Sequence, residues 1–599
     1  HYNHPSVIIW SLGNETADSE NFTAAYQWIR QQDPMRPIQF EQAQKRANTD
    51  IYCPMYLSQG SCEYYAKSDK EEDQKPLIQC EYAHAMGNSC GGFKEYWDLV
   101  RRYPKFQGGF IWDFVDQGLR GKDAQGRSIY TYGGDYNSYD PSDNNFNCNG
   151  LVSPDRRPNP EFYEVGYEYQ NIWTTPAATT GQVWVRNENF FRPLGNVEMR
   201  WVLMVNGKEV QHGKTAVPAV APQDSVMVSV PYDQAKAAEG ESFLNIDYVI
   251  LKAEPLLPAG FRIAQEQLPL HAANSCCGKD MACNAASGKA KLKLINNKKA
   301  TTLVISSEHT QLSFDKATGW LTGYTVGGKA LLGEGGTLKP NFWRAMTDND
   351  MGASLQKENR IWKSPDQKLL SLESALPKED KGHRAVVTAT YDIIPTVEGK
   401  DITVGHAIAT LALTYTVAPD GKMKVDMVLT PREGQKAPYM MRFGMVMQLP
   451  HEMDHSEFYG RGPVENYVDR KLSQRVGIYS QTADEQFYPY IRPQETGTKS
   501  DIRWWRQTTT DGMGFIVKAP KLFSASALHY AIDDLDERLE KTQRHSPQVP
   551  QSQYTNLCID LEQTGLGGID SWTKQGQALW QYRCHFAPKV FSFSIHPVY

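Results

Sequence analysis

Between residues 1 and 165 apolar positions come in short unbroken runs, each closed by polar or acidic residues: SVIIWSLGNE, PIQFE, DIYCPMY, KPLIQCEY and GGFIWDFVDQ. They lack the two-residue alternation of a sheet with one wet face. They therefore read as strands covered on both sides, as in a parallel sheet. Between them the period changes. Phe22, Ala25, Tyr26 and Ile29 fall on one face of a helix that stops at Pro34, and Phe93, Tyr96, Trp97 and Val100 do the same in FKEYWDLVRRY. Strand–helix units with Glu15, Glu41, Glu81 and Asp113 at the strand ends match the layout of a (β/α)₈ TIM barrel, whose chemistry sits at that edge. Five such strands do not close a barrel of eight. Either the sheet is open or three units precede His1, and the absence of a leading cap favours the latter expectation.

The pattern then switches. From 166 to 273, QVWVRN, VEMRWVLMVNGKEV, SVMVSV and FLNIDYVILK alternate apolar and polar, and Asn206-Gly207 between two runs is a hairpin signal. An immunoglobulin-like β-sandwich of roughly 100 residues is expected there. Residues 274–302 are small, polar and Lys-rich and read as an exposed linker. From 303 to 599, TTLVISS, QLSFD, RAVVTATYDII, AIATLALTYTV, KMKVDMVLT, MRFGMVMQL, FIVKA and FSASALHY predict one large C-terminal β-sandwich. The fold class is multidomain, α/β followed by all-β.

Composition and charge narrow this picture further. The 599 residues carry 63 basic and 69 acidic side chains, a net charge of −6, which disfavours a phosphate-binding surface and hence nucleic acid. No apolar stretch approaches the ~18–20 residues of a membrane helix. Aromatics make up 11% of the chain, which fits large β cores and also sugar-stacking surfaces, since pyranose C–H faces pack on aromatic rings. The 10 cysteines are sparse, and Cys53, Cys80 and Cys558 lie inside strand-like runs. Cys276, Cys277 and Cys283 lack the paired spacing of a metal site and read as loop thiols. No targeting segment is visible, so cytoplasmic and periplasmic locations both stay open.

Glu15 and Glu81 each end an apolar strand. A carboxylate there is either solvated at the sheet edge or functional. In a parallel sheet all such ends share one face, so two residues remote in sequence can confront each other. Paired carboxylates are what glycoside hydrolysis requires: a proton donor and an ionised partner, about 5–5.5 Å apart in a retaining enzyme and wider in an inverting one.

NHPSVIIWSLGNE (3–15) and PLIQCEYAHAMGNS (76–89) resemble the two active-site signatures of glycoside hydrolase family 2 in its LacZ-type β-galactosidase form. GGFIWDFVDQG, FNCNGLV, NFWRAMTDNDMG, FYGRGPVENYVDR and GLGGIDSW extend the likeness over nearly the whole chain. The resemblance implies that the barrel strands are about the fourth to the eighth, with Glu15 as general acid/base and Glu81 as nucleophile. It implies that Asn14 meets the sugar 2-hydroxyl, that Tyr56 donates to the nucleophile, and that Met55 stands beside it. His84 would bond galactose hydroxyls, Trp112 would be the sugar's aromatic floor, and Trp572 would be an aglycone platform from the C-terminal domain. Glu15 would ligate Mg²⁺, and Phe146 through its carbonyl and Asn149 would ligate Na⁺, the remaining ligands lying upstream.

The expected substrate is a terminal, lactose-like β-galactoside, cleaved through a covalent galactosyl-enzyme with transgalactosylation as a side reaction, in a homo-oligomer. A chain lacking barrel strands is expected to be poorly active alone. Two rivals stay open: a family 2 relative with another sugar preference, and a non-catalytic carbohydrate-binding protein.

Overall fold

A computed structural model describes residues 1–272, 290–399 and 402–599. Cys276, Cys277 and Cys283 lie outside the described residues, as does much of the expected linker. Among the described residues no helix is long and apolar enough to cross a membrane.

The five expected parallel strands form one continuous arc in sequence order. Strand β1 (Trp10–Ser11) pairs in parallel with β2 (Ile38–Gln39). Gln39 bridges Ile51, Tyr52 bridges Leu77 and Met55 bridges Glu81, all in parallel. Strand β3 (Leu77–Tyr82) then pairs in parallel with β4 (Phe106–Ile111). The third run, DIYCPMY, contributes only isolated bridges, because Pro54 has no N–H to give a ladder. Ile9, Gln39, Ile51, Cys53, Ile78 and Phe110, drawn from all five runs, line one cavity of about 250 Å³.

The helices run between these strands. Helix α1 (Glu20–Gln32) turns Phe22, Ala25, Tyr26 and Ile29 inward, although all four stay half-buried. Helix α3 (Phe93–Arg102) buries Phe93, Tyr96 and Leu99. Helix α2 (Gln59–Lys67), capped by Ser58, and helix α4 (Pro160–Glu168), opened by Pro160 in its first turn, were not visible as periodic patterns. The expected boundary at 165 falls inside α4. The α/β region extends past it, since Tyr169 packs its ring on Phe93 and Trp97. A hairpin of β5 (Leu119–Lys122) and β6 (Ser128–Thr131) projects after β4.

Residues 172–271 make a two-sheet antiparallel sandwich. One sheet has the order β10–β9–β12–β13 and the other β11–β8–β7, with β7 at Ile172–Pro176, β8 at Gln182–Asn187, β9 at Val197–Val205, β10 at Lys208–Ala216, β11 at Ser225–Ser229, β12 at Ser242–Ile250 and β13 at Arg262–His271. Val183, Val185 and Val228 from one sheet and Met199, Trp201, Leu244 and Ile246 from the other share the core. Asn206 (φ 49°) and Gly207 (φ 78°) form the two-residue turn between β9 and β10, as their sequence predicts.

Beyond residue 290 every strand pairing is antiparallel. Strands Ala385–Ile394, Ala409–Val417 and Met423–Pro431 alternate buried and half-buried residues along their length. The runs FIVKA and FSASALHY, which read as two strands, are one 15-residue strand, Gly514–Leu528. Its first part pairs with Lys589–Val598 and its last part with Tyr554–Gln563, all within one continuous 17-stranded sheet of the described residues that encloses a shared apolar core.

The large sandwich seals against the loop after β3 through buried polar contacts. Arg470 donates to the Ser89 carbonyl at 2.7 Å and pairs with Glu465 at 3.1 Å and with Glu161 of α4 at 3.4 Å. Gly91 N–H donates to the Gly567 carbonyl at 2.7 Å, and a Cβ at Gly91 would meet Asp469 at 2.1 Å, so no larger residue fits there.

Candidate active site

Three carboxylates converge where the parallel strands end. Glu81 closes β3 and is 9% exposed; Glu41 follows β2 and is 7% exposed; Glu15 follows β1 and is exposed. Burial raises the Glu81 carboxyl above the ordinary carboxylate range, the Tyr56 hydrogen bond pulls it down, and the charges of Glu15 and Glu41 push it further up. Glu41 is also raised, by burial above all; the Glu15 backbone N–H pulls it down and the Glu15 charge pushes it up.

The backbone at this edge is unusual. Glu15 (φ 49°), Tyr56 (φ 51°) and Ala83 (φ 48°) all adopt the left-handed region without being glycine. Such conformations are costly and concentrate at functional sites. Here they turn the chain at the strand ends. The Tyr56 N–H donates to the Glu81 carbonyl at 2.9 Å, and the Tyr56 hydroxyl donates to Glu81 Oε2 at 2.6 Å. The hydroxyl therefore holds one of the two Glu81 carboxylate oxygens. Met55, half-buried, bridges Glu81 from the neighbouring strand. Asn14 is exposed beside Glu15.

His84 sits on the loop after β3 and is buried. The Ser571 hydroxyl donates to Asn349 Oδ1 at 2.8 Å, so its lone pairs face His84 Nδ1 at 2.7 Å and assign the ring proton to Nδ1. Nε2 then accepts from Asn149 Nδ2 at 3.2 Å. Burial lowers the imidazole pKa to about 3, so the ring is neutral at pH 7. Both nitrogens are taken by protein, and a sugar hydroxyl could reach Nε2 only by replacing Asn149.

Trp572 comes from the large sandwich and is 43% exposed. Its ring packs edge-on against Tyr56 at 4.7 Å and His84 at 5.1 Å, and tilts against Phe146 at 5.7 Å. It thus stands beside the hydroxyl that touches Glu81. Trp112, at the end of β4, is 38% exposed, flanked by the exposed Phe110 and Phe114.

The two expected cation positions differ. Asn149 Nδ2 donates to the Phe146 carbonyl at 2.9 Å, while Asn149 Oδ1 is buried without a partner. A buried acceptor beside a main-chain carbonyl suits a hard cation such as Na⁺. Among the described residues no group of three or more His, Cys, Asp or Glu side chains is arranged to hold a metal.

Of the residues expected from sequence, the structure brings Glu15, Glu81, Met55 and Tyr56 together, with His84, Phe146, Asn149 and Trp572 in a contiguous aromatic and amide cluster beside them. Three partners went unassigned. Glu41 had been seen only as a strand-end acid, and Asn349 and Ser571 lie inside the NFWRAMTDNDMG and GLGGIDSW segments.

A parallel strand–helix arc with carboxylates at one edge, walled by antiparallel sandwiches, is the layout of a multidomain glycosyl hydrolase. Residues 1–174 match the model of the glycosyl hydrolases family 2 TIM barrel domain, 183–271 match β-galactosidase domain 4, and 306–596 match the β-galactosidase small chain. The chain is 33% identical over 575 residues to a β-galactosidase of Priestia megaterium, covering 95% of this chain and 52% of that protein. It is 32% identical over 621 residues to a β-galactosidase of Vibrio vulnificus, covering 98% of this chain and 57% of that protein. A third relative, β-galactosidase 2 of Enterobacter cloacae, is 32% identical over 593 residues, covering 95% of this chain and 54% of that protein. The chain belongs to the β-galactosidase group of glycosyl hydrolases family 2, and it spans about half the length of these curated relatives.

Proposed function

We propose that this chain carries the acid/base and nucleophile of a retaining exo-β-galactosidase. The observation that carries the reading is Glu81: a buried strand-end carboxylate, held by the Tyr56 hydroxyl at 2.6 Å, that feels the charge of an exposed second glutamate, Glu15. In the first step a Glu81 oxygen bonds to the anomeric carbon of a terminal β-galactoside as the glycosidic bond breaks, and Glu15 gives its proton to the departing oxygen. In the second step Glu15 takes a proton from water, water attacks the anomeric carbon, and Glu81 leaves as carboxylate. An acceptor hydroxyl in place of that water gives transgalactosylation. Two inversions return the starting anomeric configuration.

The other groups have roles consistent with their positions. Asn14 lies where a 2-hydroxyl contact would help Glu15. Trp112 offers an open aromatic face to the sugar ring, and Trp572 offers one to the aglycone. A Na⁺ ion held by Asn149 Oδ1 and the Phe146 carbonyl would give a sugar hydroxyl a positive neighbour. Glu15 is the residue of this chain that would ligate Mg²⁺.

The test follows the anomeric proton of the sugar released from nitrophenyl β-galactoside by the full-length protein. β-Galactose appearing first supports the reading, and α-galactose appearing first refutes retention. Faster turnover of the β-glucuronide or β-mannoside would transfer the reading to another sugar. A Glu81→Gln variant that binds galactosides as before, from a parent with no turnover, would make the protein a binder.

A further inference from the structure

We infer that Glu41 is a positioning residue for Glu15: its buried carboxylate accepts the Glu15 backbone N–H and fixes where the acid/base side chain stands. This rests on the double-displacement reading above.

The Glu15 N–H donates to Glu41 Oε1 at 2.5 Å. It is a charge-assisted bond to a carboxylate shielded from water, the condition under which such bonds are strong. It also acts on a residue whose left-handed backbone, φ 49°, an L side chain adopts only when the surroundings impose it. Without the carboxylate the Glu15 N–H loses its partner, and among the described residues Glu15 makes no other hydrogen bond that would hold it in that conformation. The Cα–Cβ bond of Glu15 would then swing with the relaxing φ.

Further ties show that the whole loop after β1 leans on the loop after β2. Leu12 N–H donates to the Gln39 carbonyl at 3.1 Å, Arg46 Nε to Asp18 Oδ2 at 2.8 Å, and Asn48 Nδ2 to Asp18 Oδ1 at 2.9 Å. These bracket residues 12 and 18 and leave Glu15 itself to Glu41. The Arg46–Asp18 bond is exposed, whereas the Glu41 side of its tie to Glu15 is buried. Glu41 is thus placed to act on Glu15 without touching the sugar.

Leaving-group chemistry separates positioning from general support. An alkyl β-galactoside needs the aglycone oxygen protonated as it departs; a dinitrophenyl β-galactoside does not. In the full-length protein, Glu41→Ala should lower kcat/KM for the alkyl galactoside about 10–100-fold, the range for a proton donor displaced by about 1 Å. The loss for the dinitrophenyl galactoside should stay within about threefold, because the attack by Glu81 is untouched. Glu41→Gln keeps an acceptor oxygen in place and should recover most of the alkyl rate. Glu41→Asp moves the acceptor back by one methylene and should behave like Glu41→Ala, which keeps the test available if the alanine variant does not fold. Asp18→Asn, which weakens only the rim, should change neither rate appreciably. Equal losses on both substrates, or none on either, would overturn the assignment of Glu41. A parent protein that turns over neither galactoside overturns the double-displacement reading and this inference with it.

Discussion

The strand–helix arc and the large C-terminal sandwich solve opposite problems. In the arc, β1 is two residues long and half of it is exposed, α1 has no fully buried residue, and non-glycine backbone at positive φ marks three strand ends. In the sandwich, strands of nine and ten residues alternate regularly over a continuous apolar core. The difference shows where rigidity comes from. The carboxylates stand on the strained, open region, while the parts that hold the neighbouring His84 loop, Ser571, Asn349 and Arg470, belong to the regular one.

The strongest way to break this contrast is on the arc side. Glu81→Gln should reduce turnover at least ~10⁴-fold, about 5 kcal/mol or more of transition-state stabilisation, with the fold intact. Residual turnover above one part in about a hundred would place the nucleophile elsewhere.

Next comes the seam. Arg470→Ala leaves the buried Glu161 and Glu465 without their shared cation, and should cost about 3–5 kcal/mol of stability, read as a fall in the denaturant midpoint. An unchanged midpoint would show that the seam adds nothing to the arc.

A smaller effect sharpens the picture within the site. Tyr56→Phe removes a hydrogen bond to a charged group, about 1.5–3 kcal/mol, and should slow kcat roughly 10–100-fold. The sign of its pH effect is fixed. Glu81 must be ionised to attack, its carboxyl already lies above the ordinary range through burial, and the Tyr56 bond is what holds it down. Activity should fall on acidification in the parent protein, and Tyr56→Phe should move that acid limb to higher pH. A shift toward lower pH would contradict the assigned donor.

Smallest is Trp572→Ala. An aromatic contact is worth about 0.5–1.5 kcal/mol, so kcat/KM for a disaccharide should drop up to about tenfold. A monosaccharide with a small aglycone should be less affected. Equal losses on both would place Trp572 in the galactose subsite instead.

The arc's strand–helix alternation was legible because buried parallel strands and amphipathic helices have different periods. Glu15 and Glu81 were legible as acids ending apolar runs. The two missed helices failed for local reasons. Helix α2, QGSCEYYAK, has no clean apolar stripe, and α4 buries Glu161, Glu164 and Glu168, so its inward face reads as polar. Those acids are matched by Arg470, by the backbone N–H groups of residues 471–473 and by Arg101, partners that no local window contains. Glu41 escaped assignment because its partner is a main-chain N–H, exposed to it by a backbone turn that no side-chain pattern encodes. The bond between His84 and Ser571 spans 487 positions, so only folding brings it into view.

Trp572 belongs to a loop that shares no strand with the carboxylates, yet its ring rests on the tyrosine that touches one of them. On the proposed roles, a change in that remote surface turn would alter which partner sugar is welcomed and leave the bond-breaking groups in place, so preference and reactivity would vary independently at one mouth.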